Sequence, residues 1–199
     1  MLYDLPKPKE GEVFCEFNVN PKKNLTGDCY IRAVALIFDI PYEKAYRELC
    51  NFGIKMSRML NESGAVYPYL DSKAVVLQDG VSKTVKEFVL SHPKGRFILA
   101  VNTKDKNIRK IDHATCCVDG VIYDIGDTAD TTICRAWQVY LSEEELLYDV
   151  LVGIKDAATK PYKDNEDCFT ALDMKELLNY KRMLERDLYN AELHMEGIL

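Results

Sequence analysis

Histidine is scarce in this chain, with three residues in 199, at His92, His113 and His194. Any chemistry that needs an imidazole must use one of them. Tryptophan is rarer still, at Trp137 alone. There is no Cys-x-x-Cys or Cys-x-x-His pair, and Cys116 and Cys117 adjoin on a segment that reads as a strand, so their side chains point to opposite faces. That spacing argues against a structural metal site. No glycine-rich phosphate loop or dinucleotide fingerprint is present, so no nucleotide cofactor is expected. No apolar run approaches the roughly 20 residues that span a bilayer, and the first twenty residues hold no apolar core of a secretory signal. Basic residues number 26 against 32 acidic ones, a formal net charge of -6. Neutralising phosphates takes a basic face, so a general nucleic-acid binder is not expected. Internal repeats and low-complexity tracts are lacking too.

What is present suffices for one full core: 47% of the residues are hydrophobic at a length typical of a single main domain. Seven cysteines, at 15, 29, 50, 116, 117, 134 and 168, are odd in number and irregularly spaced, mostly within apolar segments. This is the usage of reduced thiols in a cytoplasm rather than of a disulfide scaffold.

Along the chain, residues 1–11 are proline-rich and charged and read as an exposed leader. Alternation over 13–19 predicts a short strand, closed by Pro21. From Cys29 onward, Ile31, Ala33, Val34, Ala35, Leu36 and Ile37 make a helix that is apolar nearly all round and therefore buried. Pro41 opens a second helix to about Phe52. Residues 53–79 are less regular, with a loop at 61–64 and a short turn or helix near Tyr67, Tyr69 and Leu70, and Ser82 reads as the cap of a helix over 83–90. The period then turns extended. Strands are expected over 96–101, 111–118, 121–125 and 131–141, with a tight Asp119-Gly120 turn between the second and third. Ser142 and Glu145 form a capping box for a further helix. A linker at 154–167 separates the domain, 12–153, from a long helix over 168–199. That helix carries a stripe of Leu177, Leu184, Leu188, Ala191 and Met195, suited to docking or to a protein partner.

Cys29 is the candidate that the other residues are judged against. At the mouth of a buried helix, the unpartnered first-turn N–H groups and the positive end of the dipole stabilise a thiolate. The plainer reading is a small buried hydrophobe, since cysteine is among the most buried residue types. His113, on a strand, and Asp124, ending the next strand, supply what a reactive thiol needs: a base, and an acid to orient it. Asp127 and Asp112 compete with Asp124 for the second role. His92, before a proline, and His194, near the C-terminus, fit a base less well. Arg32 lies one turn after Cys29, and a buried guanidinium requires a carboxylate, so Asp28 or Glu43 is its expected partner. Lys104, Lys106, Arg109 and Lys110 crowd the loop leading to His113 and read as a solvated hairpin.

Taken together, T-G-D-C-Y-I-R-A and the later D-H-A-T-C-C-V-D-G-V-I-Y-D resemble the papain-like cysteine peptidases, particularly small uncharacterised ones of bacteriophage and bacterial genomes. The resemblance covers roughly residues 12–141. It implies an α+β fold in which N-terminal helices carrying the nucleophile Cys29 pack on an antiparallel sheet carrying the base His113 and the orienting Asp124. Many papain-like enzymes place a glutamine about six residues before the nucleophile to complete the oxyanion hole; here Lys23 and Asn24 stand there. Asn24, through its amide, and the backbone N–H of Cys29 are the expected donors. The implied activity is hydrolysis of a peptide or isopeptide bond through an acyl-enzyme, on a peptide or protein substrate. The alternative is a weak or inactive papain-like module that binds a partner, or a second copy, through residues 168–199.

Overall fold

The computed structural model describes residues 1–23, 27–60, 62–78, 81–102 and 112–150. The chain divides into two compact units, Met1–Tyr148 and Asp149–Leu199. The linker expected at 154–167 and the helix at 168–199 lie outside the described residues.

The first unit is α+β, built on a mixed six-stranded sheet. In chain order its elements are β1 (Phe14–Glu16), α1 (Cys29–Ile37), α2 (Tyr42–Met56), α3 (Ser63–Asp71), β2 (Val75–Leu77), α4 (Val85–Ser91), β3 (Arg96–Asn102), β4 (Asp112–Val118), β5 (Val121–Asp124) and β6 (Thr132–Val139). A helical stretch over 143–150 follows. The strands lie in the order β1-β5-β4-β3-β6-β2. Central β3 is an unbroken apolar run over 97–101 because both of its faces are covered. Ile98 and Ala100 join the cluster that holds α1, while Phe97, Leu99 and Val101 join the one that holds Phe88 of α4. Every residue of α1 after Cys29 is buried, as expected of a helix apolar nearly all round, and the burial includes the one charged residue, Arg32. Trp137 is fully buried and satisfies its indole N–H on Asp71, 2.8 Å away. No helix among the described residues is long and apolar enough to cross a membrane.

The expected antiparallel sheet is corrected at one edge, where β1 runs parallel to β5, with Cys15 opposite Tyr123. Alternation reports which face of a strand is buried and carries no information about direction. The strand is also shorter than expected, three residues. β2 arises in the stretch that read as irregular, and the short turn or helix expected near Tyr67, Tyr69 and Leu70 is α3, which begins earlier, at Ser63. Gly64 and Pro68 obscure its extent, because Pro68 sits within the helix where it counts as a breaker. The cap of α4 is Thr84 rather than Ser82. Thr84 and Glu87 form a reciprocal capping box, while Ser82 adopts a φ of 72° that no N-cap uses. Residues 1–11 are largely exposed yet tied down: Tyr3 Oη donates to Ile40 O at 2.8 Å, and Tyr123 Oη to Pro6 O at 3.0 Å.

Candidate active site

Three elements converge at one end of the sheet. α1 starts at Cys29, whose backbone N–H lies in the first turn, where helices leave donors without an intrahelical partner. Asp28 occupies the N-cap position, but its side chain makes no capping bond and turns inward. The β4–β5 hairpin supplies the other two side chains. Asp119 and Gly120 turn with φ of 48° and 79°, the paired positive values of a tight hairpin turn, and this fixes the register. Cys116 then pairs with Tyr123, which sets Asp124 beside Thr115 and makes His113 its diagonal neighbour on the same face.

His113 Nε2 meets Asp124 Oδ2 at 2.6 Å, with side-chain exposures of 20% and 3%. Burial alone would lower the His113 pKa. Hydrogen bonding to the Asp124 carboxylate and to the Cys29 sulfur, with the charges of both, outweighs burial and raises it to about 9. Asp124 takes Nε2, which leaves Nδ1 open to a second partner. The imidazole is thus perturbed by a partly exposed thiol, Cys29, and by a buried carboxylate, Asp124.

The other oxygen of Asp124 is occupied as well: Oδ1 accepts from the Ile125 N–H at 2.7 Å and from Arg32 Nη1 at 3.3 Å. Arg32 Nε donates in turn to Asp28 Oδ1 at 2.9 Å. Asp28 Oδ2 accepts from Asn20 Nδ2 and from Tyr42 Oη, each at 2.8 Å. Burial, followed by that bond to Asp28, raises the Tyr42 pKa far above the usual phenol range. Below this line lies a cavity of about 10 Å³, bordered by Cys29, Arg32, Cys116 and Asp124, with room for about one water. Burial first, then the Asp124 charge, pushes the thiols of Cys116 and Cys117 up. Among the described cysteines, Cys29 is thus the one that combines access with a base.

The structure brings together Cys29, His113 and Asp124. Of the competing acids, Asp127 is spent on a local turn, accepting from the Ala129 N–H at 2.9 Å. Asp112 opens β4, and its side chain lies outside what is described. Asn24, Lys104, Lys106, Arg109, Lys110 and His194 also lie outside the described residues. His92 stacks on Phe88 at 4.1 Å and hydrogen-bonds at the end of α4. Arg32 pairs with Asp28 and not with Glu43; its second partner, Asp124, is 92 residues away and left no local signal. Asn20 and Tyr42 are likewise members of the network that no motif marks. Among the described residues no cluster of three or more His, Cys, Asp or Glu side chains is arranged to hold a metal ion. No family model matches the chain, and neither curated proteins nor solved structures yield a match.

Proposed function

We propose that this protein is a papain-like cysteine hydrolase that cleaves a peptide or isopeptide bond through an acyl-enzyme. One observation carries the reading: a single imidazole, His113, held by the buried Asp124 carboxylate at 2.6 Å and close enough to the Cys29 thiol for both groups to raise its pKa. With Asp124 holding Nε2–H, Nδ1 takes the thiol proton, and a pKa of about 9 keeps the imidazole charged at neutral pH. Cys29 sulfur attacks the carbonyl carbon, and the electron pair of the C=O bond moves to oxygen. The Cys29 N–H, with Asn24 as second donor, stabilises that oxyanion. The C–N bond then breaks, His113 gives its proton to the leaving amine, and a thioester remains on Cys29. Water, deprotonated by the same imidazole, releases the acid.

The thioester is the species to look for. The protein is mixed with a pool of peptide amides, quenched in acid and weighed intact, beside Cys29→Ala. A mass added to Cys29, absent from the alanine variant and lost on raising the pH, is expected. A wild-type protein that releases no amine and carries no adduct across diverse peptide, isopeptide and glutamine-amide pools would contradict the reading.

A further inference from the structure

Behind the thiol, imidazole and carboxylate lies a charge that the acyl-transfer chemistry leaves unused. Arg32 is 6% exposed, on a helix whose other residues after Cys29 are apolar and buried. An unpaired guanidinium there would be strongly destabilising, so its partners specify its place. Two different nitrogens serve two different carboxylates: Nε holds Asp28 Oδ1 at 2.9 Å and Nη1 holds Asp124 Oδ1 at 3.3 Å. A lysine ammonium, being a single point, could not span both in this way.

We propose that Arg32, anchored by Asp28, is the positioning residue of the site: it occupies Oδ1 of Asp124, so that Oδ2 alone faces His113. Asp28 is the remote end of the same device. With Oδ1 engaged by Arg32 and by the Ile125 N–H, the carboxylate cannot rotate without breaking two hydrogen bonds. The Nε2–H of His113 then has one acceptor, and Nδ1 is turned to Cys29. Charge follows the same path. The charged groups that act on the imidazole directly are Asp124 from β5 and Cys29 from α1; Arg32 of α1 and, beyond it, Asp28 at the head of α1 reach it through Asp124. Cys116 and Cys117 of β4 stay neutral thiols through burial. Two carboxylates and one guanidinium leave one net negative charge behind His113. Removing Asp28's charge frees Arg32 to neutralise Asp124 and disfavours the imidazolium.

The consequence for catalysis rests on the function proposed above, but the geometry is measurable without substrate. Imidazole and guanidinium resonances of the full chain are followed by ¹⁵N NMR against pH. In wild type, the Arg32 Nη signal is expected to shift with the midpoint of the His113 titration, because Arg32 Nη1 and His113 Nε2 share the Asp124 carboxylate. In Asp28→Asn, which keeps the side-chain shape, the His113 midpoint should fall by about one pH unit. In Arg32→Lys, the Nε2–H signal of His113 should lose its hydrogen-bonded downfield position. A wild-type Arg32 signal that ignores the His113 titration overturns the proposal even if the variants fail to fold. An unmoved His113 midpoint in folded Asp28→Asn overturns it as well. Alkylation of Cys29 in the same samples separates the two ideas: an inert thiol with coupled Arg32 and His113 signals defeats the hydrolase reading alone, and a reactive thiol with uncoupled signals defeats the positioning role alone.

Discussion

At His113, burial and hydrogen bonding pull in opposite directions, and hydrogen bonding to Asp124 and Cys29 wins, lifting the pKa from 6.5 to about 9. A pKa raised on folding contributes stability that is complete below the unfolded value, near 6.5, and disappears as pH rises through about 9. The full contribution is on the order of 3 kcal/mol. Denaturant titrations at about pH 6 and pH 9.5 should therefore show wild type losing a few kcal/mol more than His113→Gln over that interval. Equal losses would mean that the imidazole is not held as described. Removing either partner should bring the His113 midpoint down, Asp124→Asn by more than Cys29→Ala, since the acid supplies the larger of the two bonds. Legibility at this scale follows separation along the chain. Asp28 and Arg32 are four apart on one helix, and His113 and Asp124 are joined by a hairpin whose turn residues fix their register, so both pairs could be read. The bond from Arg32 to Asp124 closes a loop of 92 residues, which no local pattern encodes.

Helices and strands were legible where one physical signal dominated. α1 is apolar nearly all round and therefore had to be buried; the β4–β5 hairpin carries an Asp-Gly turn. α4 shows how neighbouring signals compete. Ser82 and Thr84 are both cap formers two residues apart, and tertiary pairing decides between them: Ser82 N–H bonds Ile133 O, and Val85 N–H bonds Thr131 O, which leaves Thr84 to face the helix. Thr84 Oγ1 accepts from the Glu87 N–H at 3.2 Å while Glu87 Oε2 accepts from the Thr84 N–H at 2.8 Å. Replacing Thr84 by alanine should destabilise the protein by about 1 kcal/mol, and Ser82→Ala should stay within about 0.5 kcal/mol, as judged by urea unfolding. A larger loss at Ser82 would move the cap back to where the sequence suggested it. The direction of β1 is a different kind of failure. Its partner β5 lies about a hundred residues on, and its three-residue length leaves too little pattern to read.

For the molecule as a whole, one sheet with both faces covered sorts the cysteines by environment. Cys15, Cys116 and Cys117 are buried, and burial, their first cause in each case, pushes their thiols up; Cys29, Cys50 and Cys134 are partly exposed. Among these six, Cys29 is the one whose thiol helps to raise the pKa of a histidine, His113. That difference makes thiol competition within one chain the most direct trial of the proposed chemistry. Wild type and His113→Gln are treated with substoichiometric iodoacetamide at about pH 6 under native conditions, then mapped by peptide mass. In wild type, Cys29 should take nearly all of the label while Cys15, Cys116 and Cys117 stay unmodified. In His113→Gln its rate should fall at least tenfold, toward that of an ordinary exposed thiol, which is largely protonated at that pH. If Cys29 instead reacts no faster than Cys50 or Cys134 in wild type, or reacts equally well without His113, the imidazole does not activate the thiol and the account of this site is wrong.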